Sequence, residues 1–452
     1  MAHHFPKLTF GWYQMHEKLD PSHELVLLGS KIDWDGISEA LHPYYKAKGR
    51  RHLPIRLMVG LHLLKHRYNL SDVKVVQFLR ENWYWQYFCD VSPDWLLEKG
   101  KKVLDRSSMS RFRGRIGDKG VALIEQVIRD QLIQEGKIDV KVMTTDSTAM
   151  EKNVAYPTDS SLLERGRRKL VKVVHQLKSF GVRVGKSFRN YGKKGKQAIL
   201  SIIKLGKDRK ERIEKKTLEL AKYARHVVSQ SKKVLKRAKR RVSKVYDIVQ
   251  KISLEHTIQE GQRLCKQVSH VIHQSKERFK GNHIPNKLYS YHEPQVTVIA
   301  KGKRSKPREY GCKVNLSVDS KGFIVTHQEY TKNIHDAKLL DPALKEWDKI
   351  TGQLPHQLNI DRGYRQQEKK KSKRYRSISN ICLPFMGQAP SLHKGKKWYN
   401  KGLSQRATIE AIIGHLKQDH RMNKSRYQGF RGDKINMTWA TLAWNTKKWI
   451  AA

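Results

Sequence analysis

Acidic residues are scarce in this chain of 452 residues. It has 42 Asp and Glu residues against 92 Lys and Arg residues, which gives a formal net charge of +50 at pH 7 and a pI near 10.1. Such a surface attracts polyanions, so the expected partner is nucleic acid. An anionic membrane surface would be attracted by the same charge.

Long apolar runs and paired cysteines are also lacking. No run reaches the ~18 apolar residues that a membrane-spanning helix needs, and the first residues lack the continuous apolar core of a signal peptide. The four cysteines lie far apart in the sequence and form no paired motif. We therefore expect a protein of the reducing cytoplasm that does not bind a membrane.

The N-terminal part of the sequence, residues 1–135, is predicted to be helical. Leucines recur there at helical spacing, and Ser71 is placed to cap the start of a helix. The segment from Ser107 to Arg115 carries Arg111 and Arg113 next to residues that favour helix caps. Several short helices with a basic turn between them are compatible with helix-turn-helix DNA binding. We predict an all-α DNA-binding domain in which Arg111 and Arg113 contact DNA.

A basic segment, residues 165–285, is predicted to be a helical insertion. Lys and Arg are dense in it, and one apolar series recurs at alternating spacings of three and four: Leu235, Ala238, Val242, Val245, Val249 and Ile252. That pattern predicts a heptad seam. A second series, Leu264, Val268 and Val271, is placed to belong to an antiparallel partner helix. The basic face is predicted to contact nucleic acid, the alternative being a solvated surface.

The remaining sequence, residues 136–452, has the pattern of an α/β domain. The stretch IDVKVMTTDS predicts a short strand that ends at Asp146, and HQLNIDRGY predicts another that ends at Asp361. Between them, after the insertion, three strand-like stretches predict an antiparallel meander. The order of strand, hairpin, helix, strand, strand and helix indicates a mixed sheet with flanking helices.

The helix predicted from Ser404 to Arg421 carries a polar stripe beside an apolar face. At about 100° per residue, Arg406, Glu410 and Lys417 fall within an arc of roughly 40°. The neighbouring arc carries the apolar residues Ile409, Ile412, Ile413 and Leu416. Such a face packs on a sheet and leaves Glu410 at the edge of the buried surface. Taken alone, the pattern also fits an ordinary amphipathic helix with an exposed ion pair.

Three carboxylates can converge in such a domain. Asp146 and Asp361 each end a predicted strand, and Glu410 lies on a helix that packs on the sheet. Converging carboxylates in a strongly cationic protein make a site for Mg²⁺, which prefers oxygen ligands. Two such ions ~3.5–4 Å apart can activate a nucleophile on one side of a phosphodiester and stabilise the leaving oxygen on the other.

These residues resemble the signatures of one family, the bacterial insertion-sequence transposases of the DDE class in the family-four and family-five groups. The segment Asp361–Tyr364 matches the family's Asp-x-Gly-Tyr/Phe motif. Arg406, Glu410 and Lys417 match its Tyr-x2-Arg-x3-Glu-x6-Lys signature, in which Leu403 occupies the tyrosine position. Asp146 matches the first aspartate by its strand context, and the resemblance extends from about residue 50 to the C-terminus.

The resemblance implies a ribonuclease H-like catalytic domain, residues 136–452, interrupted by the insertion. It implies that Asp146, Asp361 and Glu410 are catalytic and bind two Mg²⁺ ions, for which Mn²⁺ can substitute. The implied activity is DNA transposition. The enzyme would bind the terminal inverted repeats of its own element, cut the ends by hydrolysis, and join them to target DNA by direct transesterification.

Binding residues and partners follow from this interpretation. From their place on one stripe of the helix, we expect Arg406 and Lys417 to hold the substrate phosphate and offset charge at the metal site. We expect Trp398, which lies beside several cations, to stack on a displaced base. The partners would be the double-stranded DNA of the element ends and of the target. We expect a homo-oligomer, a dimer, in the synaptic complex, and a location with the nucleoid in the bacterial cytoplasm.

Two other classes of protein fit part of the pattern. A ribonuclease H-like nuclease would cut DNA without joining it. A non-catalytic, basic nucleic-acid-binding protein would use the same cations, and its carboxylates would be structural.

Overall fold

The computed structural model describes residues 10–45, 52–97, 104–204, 210–300, 308–365, 372–384 and 395–451. These residues divide into two units, Met1–Asn153 with Thr297–Ala452, and Val154–Val296. Each unit has its own hydrophobic core. No helix in the described ranges is long and apolar enough to cross a membrane.

The α-helices are α1 (Phe10–Lys18), α2 (Glu24–Lys31), α3 (Trp34–Leu41), α4 (Ile55–Arg67), α5 (Asp72–Glu81), α6 (Trp83–Phe88), α7 (Pro93–Leu97), α8 (Arg106–Gln134), α9 (Asp159–Ser179), α10 (Gly192–Lys204), α11 (Lys210–Val242), α12 (Ile248–Phe279), α13 (Leu340–Thr351), α14 (Lys373–Arg376), α15 (Lys397–Gln418) and α16 (Gly429–Ala451). The strands are β1 (Val142–Lys152), β2 (Thr297–Ala300), β3 (Arg308–Val318), β4 (Ile324–Tyr330), β5 (Gln357–Ile360), β6 (Asn380–Cys382) and β7 (Lys424–Ser425).

The strands of the first unit form a mixed sheet, which confirms the predicted fold class. Among the described residues the order is β2-β3-β1-β5-β6, with β4 paired to β3 and β7 paired to β1. Strands β1 and β3 are antiparallel, whereas β1 and β5 are parallel. The prediction that the first strand ends at Asp146 is wrong. It continues to Lys152 because β3 supplies backbone partners for the polar residues that follow Asp146.

The N-terminal residues are helical, as predicted. Ser71 caps α5, and its hydroxyl accepts a hydrogen bond from the Lys74 backbone N–H at 3.2 Å. The basic turn predicted from Ser107 to Arg115 is wrong, because these residues belong to the long helix α8. The chain departs from helical geometry at Gly117, where φ is 61°. A residue with a side chain would be strained there, so glycine permits the kink.

Helix α16 lies in the core of the first unit, in contact with α4, α8 and β4. Trp439 is fully buried, and its ring stacks on His62 of α4 with centroids 5.2 Å apart. The Asn445 amide accepts a hydrogen bond from the Ile324 backbone N–H at 2.9 Å and donates one to the Ile324 carbonyl at 2.8 Å. The N-terminal helices and the sheet thus share one apolar core.

The second unit is helical, as predicted for the insertion. Helices α9, α11 and α12 pack against one another around a core of Val, Leu, Ile and Ala side chains. Leu264, Val268 and Val271 are buried on α12, which lies against α11 as the predicted partner helix.

The single heptad seam predicted from Leu235 to Ile252 is wrong in its second half. Helix α11 ends at Val242, and α12 begins only at Ile248, so the series crosses the turn between two helices. Val249 and Ile252 are 72% and 61% exposed. Spacing alone predicted one continuous helix because the residues of the turn happen to preserve the apolar period.

A buried charged cluster connects α8 to β4 in the first unit. His327 Nδ1 lies 2.7 Å from Glu329 Oε1, and its Nε2 lies 3.1 Å from Glu125 Oε1. Burial alone would lower the pKa of His327, but attraction to the two carboxylates outweighs burial and raises this pKa to about 10. His327 is therefore an imidazolium at neutral pH.

We expect His327→Gln to destabilise the protein by about 3–5 kcal/mol at pH 7, because it leaves buried carboxylates without their cation. The folded-state pKa is raised, so the contribution of His327 is fully present below about pH 6.5 and is lost as the pH rises through about 10. Urea unfolding across this pH range measures the contribution of His327 to the free energy of unfolding. The variant should lose that pH dependence, whereas His356→Gln, at an exposed position, should retain it. The same pH dependence in both variants would contradict the assignment.

Candidate active site

The sheet register places Asp146 and Asp361 next to each other. Strands β1 and β5 are parallel, and Thr145 is paired with Ile360. Asp146 directly follows Thr145, and Asp361 directly follows Ile360. Because neighbouring strands lie about 4.8 Å apart, the two aspartates are adjacent. Each carboxylate accepts a hydrogen bond from the backbone N–H of the following residue, at 2.7 Å from Ser147 and 2.6 Å from Arg362.

Helix α15 brings Glu410 to the same place, with Arg406 between the carboxylates. Arg406 Nη1 lies 3.6 Å from Asp361 Oδ1 and 3.4 Å from Glu410 Oε1. The side chains of Asp361 and Glu410 are 49% and 62% exposed, whereas that of Arg406 is 26% exposed. The two carboxylates therefore face solvent on either side of a partly covered guanidinium.

Helix α15 packs closely on the sheet because it has an apolar face and a glycine at the point of contact. Ile409 and Leu416 are fully buried, as predicted, while Glu410 stays outside the core. A Cβ at Gly402 would come 2.6 Å from Asn359 Oδ1 of β5 and 2.9 Å from Cys382 Sγ of β6. The helix can approach the sheet this closely only where a side chain is missing.

Negative charge accumulates around Asp146. Burial raises the pKa of Asp146 to about 6, and repulsion from Asp361, Asp336 and Glu410 acts in the same direction. The nearby Arg406 contacts Asp361 and Glu410. The site therefore has more negative charge than Arg406 offsets, which favours a bound cation.

Burial also raises the pKa of Asp319 to about 6, but in a different setting. Its carboxylate accepts hydrogen bonds from the backbone N–H groups of Lys321 and Phe323 in the turn between β3 and β4, and from that of Asp139. These backbone hydrogen bonds stabilise the negative charge of Asp319 locally. Asp319 is a structural residue, and a raised pKa alone does not distinguish it from Asp146.

A fourth carboxylate, Asp336, was missed by the sequence analysis. Asp336 Oδ1 accepts a hydrogen bond from Ser147 Oγ at 2.6 Å and lies 2.6 Å from Lys313 Nζ. A Cβ at Gly363 would come 2.9 Å from Asp336 Oδ2. Asp336 thus contacts the residue after Asp146 and packs against the loop that follows Asp361. Its position at the start of a helical segment was visible in the sequence, but its proximity to the site was not.

The donor chemistry suits a hard divalent cation. The carboxylates of Asp146, Asp361 and Glu410 are the oxygen ligands that Mg²⁺ prefers, and two of them are solvent-accessible. Among the described residues, no three His, Cys, Asp or Glu side chains are close enough together to hold one ion as they stand. Arg406 is in contact with two of the carboxylates, so loading a cation would require these side chains to rearrange.

The other predicted DNA-binding residues lie in different settings. Lys417 is half-buried near the end of α15, and Trp398 is half-buried in its first turn, edge-on to Tyr399. The Arg111 side chain is 67% exposed. Arg113 is 11% exposed, and its guanidinium donates to both carboxylate oxygens of Asp72, at 3.0 and 2.7 Å. A DNA contact by Arg113 would require this internal ion pair to open.

Two parts of the sequence match known families. Residues 13–115 match a family described as a transposase domain of the DUF772 type, and residues 287–446 match the transposase DDE domain. A protein of Rhizobium meliloti, named uncharacterized protein ORF8 in the nfe locus, is 32% identical over 179 residues, which cover 39% of this chain and 83% of that protein. No solved structure matches the chain.

The chain belongs to the DDE transposases. The DDE transposase domain is ribonuclease H-like, which agrees with the mixed sheet and its flanking helices. The matched range contains Asp361, Glu410 and Arg406, together with Asp336. Asp146 lies between the two matched ranges, and it joins the others through its pairing with β5.

We expect Gly402→Ala to destabilise this transposase by about 1–3 kcal/mol, because the new methyl group would overpack the contact of α15 with the sheet. Gly414→Ala on the same helix is the matched control, since a Cβ there meets nothing within 4 Å. It should stabilise the protein by about 0.5–1 kcal/mol through helix propensity. Chemical unfolding measures both. Equal effects of the two substitutions would show that Gly402 does not set the position of α15.

Proposed function

We propose that this DDE transposase binds the terminal inverted repeats of its own insertion sequence, cuts the DNA at the element ends, and joins those ends to target DNA. The observation that carries the proposal is the position of Asp146 beside Asp361 at one edge of the parallel pair β1 and β5, with Arg406 in contact with both Asp361 and Glu410. The signature shared with the family-four and family-five groups supports the same assignment. Joining two ends at one target favours a dimer in the synaptic complex.

Asp146, Asp361 and Glu410 would hold two Mg²⁺ ions, with Mn²⁺ as a substitute. Bound in this way, divalent cations supply activation of a water or a 3′-hydroxyl and stabilisation of the leaving oxygen. The chain's own contribution is to hold the three carboxylates at the junction of strand, loop and helix. Hydrogen bonds from the backbone N–H groups of Ser147 and Arg362 orient Asp146 and Asp361.

Arg406 has two roles in this proposal. In the free protein its guanidinium keeps Asp361 and Glu410 close together against their mutual repulsion. On DNA, a planar guanidinium beside the site can donate two parallel hydrogen bonds to the phosphate that reacts. Lys417, farther along the same helix, would add a point charge to the phosphate path. Trp398 is placed in the first turn of α15, where it would stack on a displaced base.

The N-terminal helices would recognise the inverted repeats. Residues 13–115, which match the first transposase domain, include α1 to α7 and the beginning of α8. Arg111 offers an exposed guanidinium on α8, where a phosphate or a base edge could accept its hydrogen bonds. This interface would supply sequence preference, while the wider positive charge of the chain supplies general affinity for DNA.

Asp146→Asn, Asp361→Asn and Glu410→Gln keep the side-chain shape and remove the negative charge. We expect each to reduce nicking of element ends in Mg²⁺ by on the order of 10³-fold, the size of effect seen when an active site loses one charge-stabilising group. DNA binding should persist, because affinity comes mainly from Lys and Arg contacts to phosphate. Asp348→Asn, at a half-buried position on α13, is the control and should keep its activity. Wild-type cutting by any of the three variants would remove that residue from the catalytic set.

A second assay separates transposition from simple nuclease activity. Pre-cut element ends carry the 3′-hydroxyl that strand transfer uses, so the wild-type protein should join them to a target plasmid. The three carboxylate variants should fail in this assay as well. Nicking by the wild-type protein without joining would identify a nuclease instead.

Arg406→Lys should lower the rate of cleavage by about tenfold, because an ammonium group keeps the charge but cannot make paired hydrogen bonds from one plane. Lys417→Arg is the comparison and should have a smaller effect, since it keeps a cation on a long side chain. Single-turnover cleavage of a labelled element end measures both rates. Wild-type cleavage by Arg406→Lys would contradict the bidentate role.

A further inference from the structure

The second unit contains a cavity of about 520 Å³ that the proposed catalytic site does not use. It lies between α9 and the segment from Tyr289 to His292. The residues that line it are Val154, Ala155, Leu162, Arg165, Arg168, Lys169, Lys172, Tyr289, Ser290, Tyr291 and His292. We call it the α9 groove. Its size is that of pockets that hold small organic ligands, about 300–1,000 Å³.

One wall of the α9 groove is cationic. Arg165, Arg168, Lys169 and Lys172 follow one another at helical spacing, so they line one face of α9 over about 10 Å. Arg165, Arg168 and Lys172 are exposed. Within the described part of the chain, none of these three is paired with a carboxylate.

Arg167, next to Arg168, shows that the exposed groove cations without carboxylate partners lie on one face of α9. Arg167 is buried, and its guanidinium donates to both carboxylate oxygens of Glu164, at 2.8 and 2.6 Å. It also donates to the Asn190 carbonyl. The cation that points into the unit is thus neutralised by an internal partner, whereas Arg165, Arg168 and Lys172 have no carboxylate partner among the described residues.

The opposite wall is aromatic and held in place. The Tyr291 hydroxyl donates to the Leu162 carbonyl at 2.9 Å, and Arg263 Nη1 donates to the Tyr291 carbonyl at 3.2 Å. A side chain at Gly166 would collide with the Tyr291 hydroxyl, so glycine on α9 keeps this wall close to the helix. Tyr289 and His292 lie on the same segment and line the groove.

The combination of a cationic wall and an aromatic wall in the α9 groove indicates the class of ligand. Cations along a groove bind the phosphates of a nucleic-acid strand, and aromatic side chains beside them stack on bases of any sequence. A helix face about 10 Å long can contact more than one phosphate of such a strand. A duplex presents a convex surface with its bases already stacked, so it cannot fill a concave site whose lining includes Leu162 and Val154. An unpaired strand can.

We propose that the α9 groove binds an unpaired stretch of DNA strand, with its phosphates along α9 and a base against the wall formed by Tyr289 and His292. This inference rests on the proposed function for the identity of the polymer as DNA. It adds a binding site in the second unit that is lined by none of the three carboxylate residues. Helix α9 lies between the two matched ranges, whereas the segment from Tyr289 to His292 lies at the start of the second one.

The test compares two double variants of the full-length protein. Arg168→Gln with Lys172→Gln removes two groove cations. Lys236→Gln with Arg240→Gln removes two exposed cations of α11, also four residues apart, that do not line the groove. Affinity for oligothymidylate of about 12 nucleotides and for a duplex of the same length is measured by fluorescence anisotropy between about 50 and 200 mM salt.

Loss of two phosphate contacts should make the salt dependence for the single strand shallower, by about 1.4 in the slope of log K against log salt. The α11 pair should leave that slope unchanged. His292→Ala should weaken single-strand binding about 5- to 100-fold without changing the slope, because stacking releases no counterions. Duplex binding should change little in the groove variants.

The results separate this inference from the proposed function. An unchanged slope for the groove pair, equal changes for both pairs, or an equal loss of duplex binding would overturn the α9 groove as a single-strand site. Nicking of element ends by the same variants is scored in parallel. If wild-type protein fails to nick while the slopes change as expected, the proposed function is wrong and the groove still stands.

Discussion

Repulsion between neighbouring carboxylates is the constraint on which the candidate active site depends. Parallel pairing of β1 with β5 brings Asp146 and Asp361 side by side, and α15 adds Glu410. Such an arrangement is unfavourable unless positive charge offsets it. Arg406 supplies part of that charge from within the chain. Burial, together with repulsion from the neighbouring carboxylates, raises the pKa of Asp146. The proposed divalent-cation site rests on the negative charge that Arg406 does not offset.

The surroundings of the site hold these charges in place. Helix α15 reaches β5 and β6 at Gly402, where no side chain separates them, and its buried isoleucines keep it there. On the side of Asp146, Ser147 donates to Asp336, which Lys313 in turn neutralises. Helix, strand and loop are therefore fixed to one another by packing and by short polar contacts.

Residue type alone does not separate structural from functional charge in this protein. Arg113 and Arg111 lie two residues apart on α8. Arg113 is nearly buried and paired with Asp72, whereas Arg111 is exposed and lies 3.7 Å from Asp105. Arg167 and Arg168 differ in the same way on α9. In each pair the helical rotation between the two positions places one side chain toward the protein and the other away from it. Contacts across the fold then decide which charge is available to DNA.

Local pattern in the sequence was enough to predict several elements of this protein. The helical N-terminal residues, the cap at Ser71 and the apolar face of α15 follow from short-range spacing, and the motifs around Asp361 and Glu410 identified the family. Three features depend on pairing and packing in three dimensions: β1 continues past Asp146, the heptad series is divided between α11 and α12, and the N-terminal helices share a core with the sheet. The tertiary structure also brought Asp336 to the site. Each of these depends on a partner distant in sequence, such as β3 for the end of β1, and local periodicity has no information about distant partners.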